Sequence, residues 1–413
     1  IEQIPVTSVN LHSVKTGILG PRRRPTILLG QAINFFNTQF LGKGAVCQRN
    51  MGSRDRCTAN PCRDCGATGM VNLHGGTTTI AVDEVRKAVG ENYPIMIRLS
   101  LEEFTETGNT LEESLAIMET LKDGVDIIDA SVGIKYAMDV AQLPDGWRTY
   151  LARAVKERFG IPCAVMGNIR DPKMANELIT QGETDLVVIG RGLIADPQWA
   201  MKAQTGRDVY IRPCISCNTG CVAHRLDLNQ PIRCTVNPSI DREEWHKIHQ
   251  VKKRCNVVVV GGGVSGLEAA CTAAETGCTV TLLEKEAELG GWLRKIAKIP
   301  RKFRMQRLLD YMLHRADGLK NLTCLTGVIA TSELIRAFKP DLVVWSIGSE
   351  PFHPAIPGLQ ERLNAPNGRV TDVNGFLKNL DKEADITGKQ ILLAGGGPVA
   401  LDIAEAAIQR AIP

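Results

Sequence analysis

Cys214, Cys217 and Cys221, followed by Cys234 after twelve further residues, are the densest group of reactive side chains in the sequence. Thiolates spaced by two and three residues can wrap one face of a metal centre, and a more distant cysteine closes the fourth corner. Ligation by four cysteines suits either a 4Fe-4S cluster or zinc. Structural zinc usually shows two paired knuckles, whereas this is a triplet plus one. The spacing therefore favours iron–sulfur and leaves zinc open. His224 lies among these cysteines and reads as a solvated loop residue, because four thiolates already complete a ligand set.

The second chemical pattern is glycine-rich. Residues 256–260 read as a buried strand running into Gly261, Gly263 and Gly266, with a helix over 267–276. Gly261 permits the tight turn, Gly263 lets backbone approach a pyrophosphate, and Gly266 allows close helix–strand packing. The helix N-terminus offers free N–H groups to phosphates. A further strand, 279–283, ends at Glu284, eighteen residues past Gly266, where an acid is placed to bind ribose hydroxyls. Gly290, Gly291 and Trp292, and a strand with a glycine turn at 341–348, point to FAD or its ADP portion rather than a plain NAD site. A second fingerprint places Gly395 and Gly397 after the strand 390–394, with Ala400 at the third glycine position. It fits an NAD(P)H domain inserted in the FAD domain. The strand that would choose NAD or NADP is expected beyond Pro413.

These groups need a scaffold, and the texture of the chain supplies one. From Ile80 onward strands at 94–100, 125–130, 161–166 and 185–189 alternate with helices at 82–89, 111–121, 150–159 and 172–180. Near-continuous apolar strands alternating with helices predict a parallel sheet clothed by helices. The expected fold class is α/β, divided into a partial barrel over 81–205, a cysteine segment over 206–250, a Rossmann-like domain over 254–387 and the start of another over 388–413. Residues 1–80 hold no persistent period. No acidic residue lies between Glu2 and Asp55. Cys57, Cys62 and Cys65 have a ferredoxin-like spacing without a hydrophobic scaffold, and read as chance.

Composition narrows the function classes. The 413 residues are 44% hydrophobic and 23% charged, which is ordinary for a globular protein. A net charge of +4 gives no reason to expect nucleic acid or an anionic membrane as partner. No run of 18 apolar residues and no signal-peptide core is present, so a cytoplasmic location is expected. Thirteen cysteines cannot all pair within one chain, which favours a metal centre over a disulfide framework.

In this order, the barrel strands, cysteine cluster, FAD fold and NAD(P)H fold resemble the iron–sulfur branch of the old yellow enzyme family. That branch includes 2,4-dienoyl-CoA reductase, 2-enoate reductase, bile-acid enone reductases and trimethylamine dehydrogenase. The resemblance covers about residues 81–413. It implies the C-terminal half of a TIM barrel, with Arg98 on the fifth strand facing the FMN ring near N1. It also implies FMN phosphate contacts from Gly167 and Asn168 after the seventh strand, and from Gly190 and Arg191 after the eighth. Electrons would pass from NAD(P)H through FAD and a 4Fe-4S cluster to FMN, reducing an activated C=C bond in a small unsaturated acid, CoA ester or enone. A homo-oligomeric state stays open.

The departures also matter. Only four of eight barrel strands can be found, and residues 1–80 do not reproduce the family's preceding motifs. Those residues read as a wrong-frame or corrupted translation, and the chain as incomplete at both ends. The family's proton-donating tyrosine has no counterpart, so no catalytic residue is assigned; Tyr136 reads as a loop residue. Two rivals remain. One is a trimethylamine-dehydrogenase-like amine oxidation with ADP in the first Rossmann fold, against which the Gly395 fingerprint argues. The other is an inactive fragment that at most binds a cluster and a nucleotide.

Overall fold

The structure, a computed structural model, describes residues 75–105, 108–133, 143–299, 301–363, 365, 369–379 and 390–411, with backbone only at 75–80, 379 and 410–411. The expectations placed on residues 1–74, including Cys57, Cys62 and Cys65, and on Tyr136 lie outside the described residues. The chain divides into two compact units, 1–189 and 190–413.

In the first unit the helices are α1 (Gly75–Val89), α2 (Leu111–Met118), α3 (Thr149–Phe159) and α4 (Pro172–Thr180). They alternate with β1 (Met96–Glu102), β2 (Ile127–Val132), β3 (Cys163–Val165) and β4 (Leu186–Val187). The sheet is parallel in the order β1-β2-β3-β4, the sequential arrangement of a barrel wall. Local chemistry fixes the helix ends. Thr110 and Glu113 form a capping box at α2, Asp171 caps α4 with Pro172 in its first turn, and Gly160 closes α3 in a left-handed conformation. Ile128, Ala130, Val165, Leu151 and Val155 are fully buried between sheet and helices. Two expectations shift. The strand expected over 185–189 keeps two paired residues, Leu186 and Val187, with hydrogen bonds from the Asp185 N–H to the Cys163 carbonyl and from the Val188 N–H to the Val165 carbonyl on either side. Helix α1 already covers Gly75–Val89, where the sequence suggested 82–89.

The second unit opens with α5 (Arg191–Ala195) and α6 (Trp199–Gln204), then the cysteine connection. Hydrogen bonds tie these helices to the cysteine connection, so they fall in the same compact unit as it. The Asp196 carboxylate accepts from Lys202 Nζ at 2.6 Å and from the Arg212 N–H at 2.9 Å, and the Asn237 amide donates to the Ile194 carbonyl at 2.9 Å.

A second sheet combines β5 (Asn256–Val260), β6 (Thr279–Leu283), β7 (Leu322–Leu325) and β8 (Leu342–Trp345). Helices α7 (Val264–Glu275), α8 (Gly291–Ala297), α9 (Phe303–Asp317) and α10 (Ser332–Ala337) connect them. The strands are parallel in the order β7-β6-β5-β8, so the winding reverses at β5, where doubly wound sheets hold their ligands. Later come α11 (Val373–Asn379) and α12 (Pro398–Ala411). The strand expected at 390–394 does not form: the segment pairs with no strand among the described residues, and Leu392 is 95% exposed. An apolar parallel strand without neighbours has no ladder to join. No helix among the described residues is long and apolar enough to cross a membrane.

Arg315 of α9 pins α7. Its guanidinium donates to Glu275 at 2.7 and 2.8 Å and to Glu268 at 2.6 Å, while its side chain is 10% exposed. Removing a buried partner strands the opposing carboxylates. Arg315→Met is expected to destabilise this unit by about 3 kcal/mol, read as a lower urea midpoint. An unchanged midpoint would show that α7 packs by apolar contact alone.

Candidate functional site

Cys214, Cys217, Cys221 and Cys234 line one recess, together with Arg191, Gly220 and Arg233. Left-handed Ser216 and Asn218, at φ 56° and 57°, turn the backbone sharply on either side of Cys217. The Asn218 carbonyl accepts from the Val222 and Ala223 N–H groups, winding the Cys221 turn. Gly220 then closes the site. Its carbonyl accepts from the Arg233 N–H at 2.7 Å, and a Cβ on Gly220 would lie 2.6 Å from the Arg233 carbonyl oxygen. Only glycine lets the triplet loop approach the Arg233–Cys234 backbone this closely.

The electrostatics suit a cation. Burial pushes the Cys221 and Cys234 thiols up, and the neighbouring Cys214 and Cys217 sulfurs add to it. For Cys217 burial acts upward too. Hydrogen bonding, led by the Thr235 hydroxyl at 3.1 Å, nonetheless brings its pKa below the ordinary value. Ligation needs thiolates, so a metal bound here would take the place of the thiol protons. Among the described residues no three His, Cys, Asp or Glu side chains are grouped tightly enough for a single metal ion. His224 differs from its expectation. Its Nδ1 is buried without a hydrogen-bond partner, so the ring is not simply solvated.

The glycine loop, the acid and the second glycine turn meet at the C-terminal ends of β5 and β6. Glu284 is buried, accepting from the Gly262 N–H at 2.6 Å through one oxygen and from the Glu286 N–H at 2.8 Å through the other. The Gly290 N–H donates to the Gly262 carbonyl at 2.8 Å, which brings Gly290 and Gly291 against the loop. Helix α7 starts directly after Gly263, earlier than the sequence suggested. A Cβ on Gly266 would meet the Gly261 carbonyl oxygen at 1.8 Å, whereas one on Gly263 would meet nothing within 4 Å. The first glycine packs the fold, and the second leaves open space for a ligand. The Trp292 ring N–H donates to the Ser349 carbonyl at 3.3 Å. Gly395 and Gly397 stand in open surroundings before α12.

In the first unit, Arg98 is paired across the sheet with Asp129, its register neighbour on β2, at 2.6 Å. Burial raises the Asp129 carboxyl pKa and the Arg98 charge opposes that rise. The Asn168 side chain is committed to the Leu143 carbonyl and to the Arg170 guanidinium, at 3.2 and 2.8 Å. The Gly167 carbonyl accepts from the Gly146 N–H at 2.6 Å. Gly190 and Arg191 belong to the other unit. There the Arg191 guanidinium donates to Asn218 Oδ1 at 2.6 Å and its charge acts on Cys221, so it lies at the cysteine recess. The sequence offered no sign of this position. Asp129 was missed as well, although an acid inside an apolar strand is a visible signal.

Comparison with known proteins bears on both units. Residues 79–209 match the NADH:flavin oxidoreductase / NADH oxidase family, and residues 219–351 match pyridine nucleotide-disulphide oxidoreductase. An NADH oxidase from Thermoanaerobacter brockii is 40% identical over 332 residues, covering 78% of this chain and 50% of that protein. These matches support the iron–sulfur flavoenzyme branch of the old yellow enzyme family. The matched families and relatives are oxidoreductases. The chain is also similar to a cinnamate reductase from Clostridium sporogenes, 29% identical over 78% of this chain and 49% of that protein. Among solved structures, a 2-naphthoyl-CoA reductase in complex with 2-naphthoyl-CoA aligns with TM-score 0.73 and 26% identity, over 83% of this chain and 51% of that chain. The chain spans about half the length of the curated relatives it matches.

Proposed function

We propose that this chain carries the electron-transfer core of an NAD(P)H-dependent reductase of activated C=C bonds. The observation that carries the reading is the recess lined by Cys214, Cys217, Cys221 and Cys234, in the same compact unit as a glycine loop built for a dinucleotide. When bound, FAD, a 4Fe-4S cluster and FMN would split a nicotinamide's electron pair into single electrons and rejoin it for alkene reduction.

The four thiolates would hold the cluster, with Gly220 keeping their loops in contact and Arg191 offsetting their negative charge. Gly261, Gly263 and Gly266 would shape the turn at the pyrophosphate. Glu284 would exchange its backbone partners for ribose hydroxyls, and Gly290, Gly291 and Trp292 would flank the same nucleotide. Gly395 and Gly397 would serve the nicotinamide nucleotide. In the first unit Arg98 would place positive charge beside the FMN ring, its direction held by Asp129, while Gly167 and Asn168 shape the loop after the seventh barrel strand. The relatives' names suggest an aryl or alkyl enoate or its CoA ester as substrate. A cytoplasmic setting, where reduced nicotinamide is available, is consistent with this chemistry.

The test is anaerobic purification followed by iron, sulfide, zinc and flavin analysis with a visible spectrum. About four irons and four sulfides per chain, together with FAD, are expected for a single cubane cluster. Zinc in place of iron would overturn the electron-transfer reading, and protein free of both metal and flavin would remove its basis altogether.

A further inference from the structure

Cys255 and Cys278 occupy the N-terminal edge of the second sheet, at the opposite ends of β5 and β6 from the glycine loop. The strands run in parallel with Asn256 beside Thr279, so the two cysteines are in-register neighbours one residue earlier. The Thr279 N–H donates to the Cys255 carbonyl at 2.9 Å, which continues the ladder to that point. Their sulfurs are 2.7 Å apart, well inside ordinary non-bonded sulfur contact. Adjacent positions on paired strands lie within the Cα separation that a disulfide spans. Cys255 is partly exposed, while Cys278 is 4% exposed. The Asn321 amide holds the Cys278 backbone in place, donating to its carbonyl at 2.7 Å.

We propose that Cys255 and Cys278 are a redox-active dithiol which a hydroperoxide converts to a disulfide joining β5 to β6. The accessible Cys255 sulfur attacks the peroxide, the O–O bond breaks and one water leaves, giving a sulfenic acid at Cys255. Cys278 sulfur then displaces the second water as the S–S bond forms. Two thiols lose two electrons and two protons, and one hydrogen peroxide becomes two waters. A dithiol reductant reverses the change by exchange. The contact with Cys278, with burial adding to it, holds the Cys255 thiol above its ordinary pKa, so attack on the peroxide is slow near neutrality and quickens as pH rises. The bond would close the loop 255–278, which contains the glycine turn and α7. The modification therefore restrains the unfolded chain around the dinucleotide motif without touching the motif. The inference does not depend on which nucleotide binds there.

Peptide mapping of the full chain tests it. Protein purified anaerobically under reduction is treated with hydrogen peroxide, alkylated with iodoacetamide, and digested with trypsin and a glutamate-specific protease. Cleavage after Arg254, Glu268, Glu275 and Glu284 separates Cys255, Cys271 and Cys278 onto three peptides. The expected result is a linked pair of peptides 255–268 and 276–284, lighter by two hydrogens and separable by dithiothreitol. Cys271, 1% exposed, should remain outside the link. The thermal midpoint of the oxidised protein should rise by on the order of 5–10 °C and fall back on reduction. Cys278→Ser should lose both effects. Separate alkylated peptides for Cys255 and Cys278 after peroxide, or Cys255 linked mainly to other cysteines, would overturn the proposal. The wild-type map decides the matter even where the serine variant folds poorly.

Discussion

Gly266→Ala should unfold the dinucleotide motif from within, while Gly263→Ala, three residues earlier, should leave the fold intact and weaken only nucleotide binding. The contrast follows from what each added methyl group meets. At Gly266 the Cβ would stand 1.8 Å from the Gly261 carbonyl oxygen and 2.9 Å from its carbon, both backbone atoms that no rotamer change can move. Either α7 lifts from β5 or the Gly261 turn opens. The residues that α7 buries there, Leu267, Ala270 and Cys271, are at most 1% exposed, so displacement uncovers core. Overpacking of this kind costs about 3 kcal/mol or more. At Gly263 no atom lies within 4 Å, and the methyl group would occupy only space left for a ligand. The expected data are a lowered urea midpoint and little retained flavin for Gly266→Ala. Gly263→Ala should keep a near-normal midpoint but lose flavin during gel filtration. Equal stability losses in both variants would contradict the assignment of packing to one glycine and ligand approach to the other.

That division between neighbouring glycines explains why this part of the molecule was legible in the sequence. The strand, turn and helix of a dinucleotide motif are short-range features, each fixed by residues within about thirty positions of one another. The same holds for the cysteine triplet, whose spacing alone placed it in one turn. What escaped was whatever depends on register or tertiary approach. Arg98 and Asp129 face each other because β1 and β2 align those positions, which neither strand reveals alone. The Arg191 guanidinium reaches Asn218, twenty-seven residues away, a contact that no local pattern announces. The strand at 390–394 was predicted from an apolar run, but parallel strands take their stability from neighbours, and the described residues supply none there. His224 was judged by counting cysteines, which says nothing about whether its ring is buried.

The largest expected loss of metal should come from a position that is not a ligand. Cys221→Ser removes one thiolate and is expected to reduce bound iron sharply, as any four-cysteine reading requires. Gly220→Val keeps all four cysteines and tests the geometry. Its Cβ would stand 2.6 Å from the Arg233 carbonyl oxygen and 3.1 Å from the Cys234 nitrogen, so the triplet loop and the Cys234 segment must part. The hydrogen bond from the Arg233 N–H to the Gly220 carbonyl, at 2.7 Å, breaks with them. Three cysteines stay on one side of the opened recess and the fourth on the other. A cluster needs all four at once. Iron and sulfide in Gly220→Val should therefore fall at least tenfold, with FAD retained, because the glycine loop at 261–266 is a separate construction. Flavin retention matters to the argument, since it separates a lost metal site from a lost fold. If Gly220→Val instead keeps its iron and sulfide, the recess yields more easily than its backbone contacts imply, and closure by Gly220 is not what holds the four thiolates together.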